Sequence, residues 1–407
     1  MKTQWIPALL LAFGLSACTP AASTTPEPAP VTEQTAESAA ESAAETATEE
    51  AAAFPVGHLR ALCYRESTAD AVYNAAAAQP EGGIPVLQLL KVDLADALRS
   101  SVFAVEGENW EIPKVVPYED TVCLFANDAM YRVPQSGGEA EVLPLGDTFA
   151  PDYADEYSAY DFVYNYPDSR TDGARLDLAT GALTPLQLPS QTMSIYAVGE
   201  DRFLLLRLLT DVPLPDSREW EQYEAVCQNA TAEYDWYDPA TGELETIWQA
   251  PYYGIQQPDG SKKRYSLLGM AGGRLYFEWF TEEGMGIVGG AESCAADGTD
   301  WQPLPGKPGE NRCTWTFTQN GSLRWLMGGS EGSLWIYDLA DGQVYDMPHI
   351  TGTNGWPELL VGRDQVMVAV GTEPYVVSNF AIISIEDYLA GSTDWTPVRD
   401  TSAESDP

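Results

Sequence analysis

The chain has 407 residues and a formal net charge of −40 at pH 7, because 61 acidic side chains outnumber 21 basic ones. Nucleic-acid binding needs a basic surface that displaces counterions from phosphates, so this charge excludes nucleic acid as a partner. The charge also disfavours a domain that lies flat on anionic lipid.

The N-terminal segment Met1–Cys18 has the pattern of an export signal. It begins with Lys2, continues with a mostly apolar stretch over Trp5–Gly14 and ends in Leu15-Ser16-Ala17-Cys18. The apolar stretch is too short to span a bilayer as a mature helix. The last four residues resemble the lipobox of bacterial lipoproteins, which implies that Cys18 becomes a lipidated N-terminus anchored outside the cytoplasmic membrane. An ordinary secretory signal with a chance cysteine is the alternative.

Residues 19–53 have the composition of a disordered tether. They are mostly Ala, Thr, Glu, Ser and Pro, with no aromatic residue and with glutamates as their only charges. Such a segment cannot bury enough apolar surface to offset its chain entropy. We therefore expect a solvated spacer, followed by a folded domain over residues 54–400 and a polar tail over residues 401–407.

A recurrent hairpin organises the folded domain. Leu334–Tyr345 alternates bulky side chains on two faces and reverses at Asp341-Gly342, where glycine accepts the positive φ of a hairpin turn. Near-copies occur at Arg175–Gly181, Trp236–Gly242 and Ala295–Gly298. Turns spaced by about 40–60 residues, with about four short strands in each unit, are typical of propeller blades.

Seven such units can be marked off in chain order. They are His58–Gly107, Val115–Leu145, a third unit with strands at Asp161–Tyr164 and Ala174–Leu178, Ile195–Trp248, Tyr265–Trp301, Thr314–Tyr345 and Glu358–Val398. The sequence thus predicts an all-β fold, a β-propeller of about seven four-stranded blades. Six blades, eight blades or two packed β-domains remain alternatives.

The turns at Asp177 and Asp238, together with Ala296-Asp297-Gly298-Thr299 and the later Leu304, resemble those of TolB-like and other bacterial propeller lipoproteins. The resemblance extends over most of residues 54–398, although many propellers share such turns. It implies a β-propeller held at the cell envelope. The sialidase Asp-box is not matched, which argues against a glycosidase of that type.

The insertion at about Asp211–Thr231, in the fourth unit, is the candidate recognition element. Long loops on rigid scaffolds commonly carry binding sites. Trp220 and Tyr223 are the candidate binding residues, because aromatic rings stack on sugars or anchor protein partners. This interpretation requires both rings to be exposed. The alternative is a helical flap packed on the rim, in which they would be buried.

No metal, cofactor or catalytic residue is predicted. The two histidines, His58 and His349, neighbour no nucleophile motif, and neither Gly-x-Ser-x-Gly nor a glycine-rich phosphate loop occurs. Asp168–Gly173 opens like a calcium loop, but Arg170 stands at the third ligand position and Ala179 at the closing one, so we expect an ordinary turn.

The cysteines other than Cys18 show no metal-ligand spacing. Cys63 and Cys123 lie in apolar stretches, and we expect them to be buried in strands. A disulfide between Cys294 and Cys313 is a further possibility. Carboxylate pairs are so common in this chain that none identifies a glycosidase acid and base.

These observations favour a non-enzymatic, lipid-anchored propeller that binds a glycan or a protein partner at the cell envelope. The main alternative is an envelope carbohydrate-active enzyme, a glycoside hydrolase or lyase, whose carboxylates converge at the propeller channel. A scaffold for assembling envelope proteins is a third hypothesis. Carboxyls with perturbed pKa in one aromatic-lined pocket would favour the enzyme.

Overall fold

The computed structural model describes residues 59–401 except 69, 79–82, 107–112, 127, 147–148, 284–285, 305–312, 320, 331–332, 348–358 and 371–378. The predicted signal segment with Cys18, the tether, both histidines and residues 402–407 lie outside the described residues.

In this part of the chain the strands form seven sheets that follow one another in sequence, preceded by a short strand β1 (Arg60–Ala61). Blade 1 contains β2 (Arg65–Ser67), β3 (Ala71–Ala78), β4 (Val86–Asp93) and β5 (Leu98–Glu106). Blade 2 contains β6 (Lys114–Tyr118), β7 (Thr121–Ala126), β8 (Ala129–Pro134) and β9 (Glu141–Pro144). Blade 3 contains β10 (Tyr153–Ala154), β11 (Ser158–Asn165), β12 (Arg170–Asp177) and β13 (Leu183–Leu186).

Blade 4 contains β14 (Thr192–Ala197), β15 (Phe203–Leu209), β16 (Thr231–Tyr237) and β17 (Leu244–Pro251), with helix α1 (Trp220–Cys227) between β15 and β16. Blade 5 contains β18 (Ile255–Gln256), β19 (Lys262–Ala271), β20 (Arg274–Glu283), β21 (Gly286–Ala295) and β22 (Gln302–Pro303). Blade 6 contains β23 (Cys313–Gln319), β24 (Ser322–Ser330), β25 (Ser333–Asp338) and β26 (Gln343–Met347). Blade 7 contains β27 (Leu359–Val361), β28 (Gln365–Ala369), β29 (Phe380–Ser384) and β30 (Thr396–Pro397), with helix α2 (Ile385–Leu389) after β29.

Apolar clusters show that the seven blades close into a ring. Among the described residues, every pair of neighbouring blades shares a cluster of buried side chains. The last of these pairs joins blade 7 back to blade 1, where Met367 and Ile382 pack with Val72 and Val92. Burial of apolar surface is the main favourable term in folding, so the ring is stabilised at every junction. The predicted β-propeller is confirmed, with seven blades rather than six or eight.

The C-terminal end of the ring adds a strand that the sequence did not predict. β31 (Arg399–Asp400) pairs in parallel with Leu98 and Arg99 of β5, at the outer edge of blade 1. The Arg99 guanidinium donates from Nε and Nη2 to the two carboxylate oxygens of Asp400 at 2.6 and 2.8 Å. This bidentate pair fastens the end of the chain to its first blade.

The recurrent turns have one structure in blades 3, 4 and 6. In each turn an aspartate carbonyl accepts a hydrogen bond from the glycine amide four residues later: Gly181 to Asp177 at 2.8 Å, Gly242 to Asp238 at 2.8 Å and Gly342 to Asp338 at 2.9 Å. The three glycines have φ of +70°, +76° and +70°. A residue with a Cβ is strained at these angles, which explains the glycine. The reversal predicted at Asp341-Gly342 is the second half of such a turn.

The antiparallel order gives the ring two distinct faces. Turns between first and second strands and between third and fourth strands lie on one face, here called the turn face; in blade 5 the count begins at β19, because β18 is an additional strand. Connections between second and third strands, and the links from blade to blade, lie on the other, here called the insertion face because the α1 segment belongs to it.

The chain enters the ring along its axis from the turn face. The Leu59 amide donates to the Glu200 carbonyl at 3.2 Å, and the Gly199 amide donates to the Leu59 carbonyl at 3.1 Å. Both partners belong to the first turn of blade 4. β1 then pairs antiparallel with β10, the first strand of blade 3.

The axial segment ends at the insertion face. The Leu62 amide donates to the Asp152 carbonyl at 2.7 Å, at the start of blade 3, and the chain then turns back as β2 of blade 1. Arg60 of the axial segment pairs with Glu66 of β2 at 3.3 Å, and burial raises the pKa of the Glu66 carboxyl. The axis of the propeller is thus occupied by the chain's own backbone and an ion pair.

Candidate functional site

The insertion packs on blade 4 through helix α1. Tyr223 and Cys227, one helical turn apart, are buried against Leu208, and Met193 contacts the same cluster. The Tyr223 hydroxyl lies 3.9 Å from the Met193 sulfur. Burial raises the pKa of the Tyr223 phenol strongly. The helix is therefore held by an apolar face rather than projecting freely.

The insertion also contacts blade 3. The Ser217 amide donates to the Tyr166 carbonyl at 3.1 Å, and the Ser169 hydroxyl donates to the Pro215 carbonyl at 2.5 Å. Tyr166 and Ser169 belong to the turn between β11 and β12. The insertion thus bridges two neighbouring blades on the insertion face.

The two predicted binding residues have different environments. Trp220 is 54% exposed, whereas Tyr223 is only 6% exposed. Their ring centroids are 6.2 Å apart. The exposure that a recognition role requires is met by Trp220 and not by Tyr223, because Tyr223 belongs to the packed face of α1. A binding role for Trp220 stays a prediction.

A groove of about 870 Å³ lies beside the insertion, between blades 3 and 4. Its walls come from the start of β12, from the link between blades 3 and 4, and from the first residues of the insertion. Its apolar side chains include Leu186, Leu188, Pro189, Val212, Pro213 and Leu214. The size is in the range of small-ligand and peptide sites. This groove is the candidate functional site.

The charged side chains of the groove are three carboxylates and one guanidinium. The Arg170 Nε lies 3.2 Å from Asp172 Oδ1, and its Nη2 lies 3.7 Å from Asp168 Oδ2. Asn165 Nδ2 donates to both carboxylates, at 3.2 and 3.3 Å. Asp211, also in the lining, adds a third negative charge, so the groove has a formal charge of −2. The turn predicted at Asp168–Gly173 is shorter in the structure: Asp168 and Ser169 belong to the turn between β11 and β12, whereas Arg170–Gly173 open strand β12, with the Arg170 guanidinium between the two carboxylates.

A buried ion network lies behind the groove. Arg207 Nη1 lies 3.0 Å from Glu233 Oε1 and 3.3 Å from Asp235 Oδ2, and Arg207 Nε donates to the Ser190 carbonyl at 3.1 Å. Asp235 also accepts from the Thr246 hydroxyl at 2.6 Å. These side chains lie on the same strand faces as Phe203, Leu205 and Tyr237, which pack on blade 3, so they face that blade. The network fixes the link that forms the groove floor.

A second cavity of about 540 Å³ lies between the same two blades near the turn face. Its lining includes Asp177 and Thr180 of one recurrent turn and Thr241 of the next. The Asp177 carboxylate accepts from the Thr180 amide and hydroxyl at 2.8 and 2.7 Å. These hydrogen bonds lower the pKa of Asp177, and the one from the Thr180 hydroxyl has the larger effect. The carboxylate is thus used by its own turn.

The carboxyls with raised pKa lie elsewhere. Burial raises the pKa of Asp161, in β11, to about 6, and the nearby charge of Asp152 adds to the effect. Asp161 accepts from the Ala150 amide at 3.3 Å, while Lys114 pairs with Asp152 at 2.8 Å. Neither Asp161 nor Glu66 lines either of the two cavities. Neither of these two cavities is therefore lined by a carboxyl with a raised pKa, which the general acid of such an enzyme would have.

The cysteine predictions are only partly correct. Cys123 is buried in β7 as expected, but Cys63 is exposed and lies outside a strand, since the chain turns there between the axis and blade 1. Its thiol donates to the Arg65 carbonyl at 2.5 Å. Cys294 is buried with a free thiol, which contradicts a disulfide from it. The side chain of Cys313, its possible partner, lies outside the described residues.

No group of three or more His, Cys, Asp or Glu side chains among the described residues is arranged to hold a metal ion. Within the same residues, neither helix has the length and apolarity needed to cross a bilayer.

Sequence reasoning identified the insertion but missed the groove. The sequence indicates Asp168 and Asp172 only as part of a turn, and it gives no signal at Leu186–Gln191. The order of the strands could have located the groove. In a propeller the connections between the second and third strands of adjacent blades lie on the same face, so those of blades 3 and 4 must be neighbours.

No protein-family model matches the chain, and no curated protein matches it. Solved structures of β-propellers do match. An acylaminoacyl peptidase is 11% identical with a TM-score of 0.52, over 86% of this chain and 54% of that one. A puromycin-hydrolysing peptidase from Mycobacterium tuberculosis is 12% identical with a TM-score of 0.46, over 86% and 55%. The chain spans about half the length of these two peptidases. An oligogalacturonate lyase from Vibrio parahaemolyticus is 13% identical with a TM-score of 0.44, over 84% and 86%. At such identities the similarity establishes the fold alone: the chain is a seven-bladed β-propeller.

Proposed function

We propose that this chain is a non-enzymatic binding module of the cell envelope, lipid-anchored through Cys18, and that it binds its partner in the groove between blades 3 and 4. The observation that carries the proposal is the bridge made by the insertion. It joins two blades, forms a wall of the groove and presents Trp220 on the same face. Binding sites commonly combine such loops with a rigid scaffold.

The occupied axis supports a site on a face of the ring. Backbone from Leu59 to Leu62 and the Arg60–Glu66 pair occupy part of the central space, where they bond to blades 3 and 4. Leu59 contacts the turn face, and the groove lies on the insertion face.

The proposal is tested by photo-crosslinking in cells that express the full chain. A benzophenone amino acid is placed at Val212, in the groove wall, or at Val142, on the outer strand of blade 2; both valines are 52% exposed. We expect a discrete adduct from position 212 that disappears when Ser190→Trp fills the groove, and none from position 142. Equal adducts from both positions, or an adduct that survives Ser190→Trp, would contradict the proposal.

The alternative function is a carbohydrate-active enzyme, a glycoside hydrolase or lyase, that uses a buried carboxyl. Asp161, with its pKa raised to about 6, is the observation that favours it, because general acids have raised pKa values. This alternative predicts that the purified chain cleaves an envelope polysaccharide and that Asp161→Asn abolishes cleavage. Polysaccharide that stays intact under the wild-type chain would exclude this function.

A further inference from the structure

We infer that the groove between blades 3 and 4 takes an extended basic peptide, a segment of a protein partner rich in Lys or Arg. The inference rests on the proposed function and chooses between the glycan and protein partners that the sequence left open. It follows from three features of the groove: its charge, the exposure of its carboxylates, and the absence of aromatic side chains from its lining.

The charge excludes an acidic ligand. Asp168, Asp172 and Asp211 carry three negative charges, and the single guanidinium, Arg170, is already held between two of them. An anionic ligand would meet repulsion with no free cation in the lining to offset it. A cationic ligand would be attracted both locally and by the net charge of −40.

The carboxylates are accessible to such a ligand. The Asp168 and Asp172 side chains are 56% and 54% exposed, and Arg170 is 53% exposed. Exposed ion pairs of this kind are worth little, since water competes for both partners. A Lys or Arg from a partner can therefore replace Arg170 at either carboxylate at low cost.

The apolar part of the groove fits a peptide better than a sugar. Its lining is aliphatic and proline, with Leu186, Leu188 and Pro189 on one side and Val212, Pro213 and Leu214 on the other, and it includes no Trp, Tyr or Phe. Sugar sites rely on aromatic faces, which this lining does not offer. Lys and Arg, in contrast, lay aliphatic stems along apolar surface while their heads reach carboxylates.

The experiment measures binding of short probes to the full chain by calorimetry at 0.15 M salt. The probes are a ten-residue peptide of alternating Lys and Ala, the corresponding Glu–Ala and Gln–Ala peptides, and maltohexaose as an uncharged oligosaccharide. The groove variant is Asp168→Asn with Asp172→Asn and Asp211→Asn. The control variant removes three exposed carboxylates from turns on the opposite face, by Asp201→Asn, Glu243→Gln and Asp364→Asn.

We expect the Lys–Ala peptide alone to bind. The groove variant should weaken binding at least tenfold, and the control variant by less than twofold, because charges beyond about 8 Å are screened at this salt concentration. Both variants keep the wild-type melting temperature if they only change surface charge.

Other results overturn the inference. Equal weakening by the two variants would show attraction to the overall charge and not to the groove. Binding of maltohexaose that Val212→Trp abolishes would show a glycan site, so the peptide inference would fail while the proposed binding function stands. If no probe binds, the inference fails, and the crosslink from position 212 decides separately whether the proposed function also fails.

Discussion

Replacement of Arg207 tests how the floor of the groove is held. In Arg207→Met the aliphatic stem is kept, but Glu233 and Asp235 lose their only described cation. Their side chains are 7% and 0% exposed, so water cannot take its place. Removing one partner of a buried ion pair costs about 3–5 kcal/mol. The link at Ser190 also loses the hydrogen bond from Arg207 Nε. We therefore expect a loss of about 3–5 kcal/mol in the free energy of unfolding.

The assay is urea unfolding followed by tryptophan fluorescence, with Arg218→Met as the control. Arg218 is 63% exposed and pairs with Asp216 at the surface, so its replacement should leave the unfolding midpoint unchanged. If the cost arises from uncompensated carboxylates, adding Glu233→Gln and Asp235→Asn to Arg207→Met should restore part of the lost stability. An Arg207→Met variant as stable as the control, or a triple variant no more stable than the single one, would refute the reasoning.

Three further predictions are tested by unfolding measurements or by membrane fractionation. Tyr223→Ala should cost about 3 kcal/mol or more because the ring is buried, whereas Trp220→Ala should change stability by less than about 0.5 kcal/mol; similar losses would contradict the observed packing of α1. The stabilising contribution of Asp161 is fully present only below the pKa of its carboxyl in the unfolded chain, near 3.8. It is lost as pH rises through the pKa in the folded chain, about 6. The free energy of unfolding of Asp161→Asn minus that of the wild type should therefore be about 2–3 kcal/mol larger at pH 7.5 than at pH 4. A difference that does not change with pH would contradict this prediction. Cys18→Ser should release the chain from membranes or leave it unprocessed, as membrane fractionation would show; a wild-type chain that is already soluble would rule out the lipid anchor.

Strands with a regular pattern were predictable, and very short ones were not. β7 and β15 show long apolar runs, and the turns at Asp177 and Asp238 can be recognised from the pattern Asp-x-x-Thr-Gly. β1 and β31 have two residues each, too few for any periodicity. Their pairing depends on the closed ring, because each joins a strand far away in sequence. Only the three-dimensional ring brings such partners together.

The environment of Trp220 and Tyr223 illustrates a second limit. Residues three apart on a helix lie near the same face, so the sequence predicted one environment for both rings. Tyr223 and Cys227 are buried in the cluster on blade 4, whereas Trp220, at the first residue of α1, is not part of that cluster. The lining of the groove could not be predicted from the sequence either, because its walls come from three separate stretches of chain that meet only between two folded blades.

The two faces of the ring differ in what their carboxylates can do. On the turn face, aspartates such as Asp177 and Asp238 accept hydrogen bonds from backbone amides of their own turns. A ligand could engage them only by breaking the turn that shapes the blade. On the insertion face, Asp168 and Asp172 are paired with exposed side chains instead. A side-chain partner can be exchanged for a ligand without cost to the backbone, so a binding site on this propeller is best placed on the insertion face.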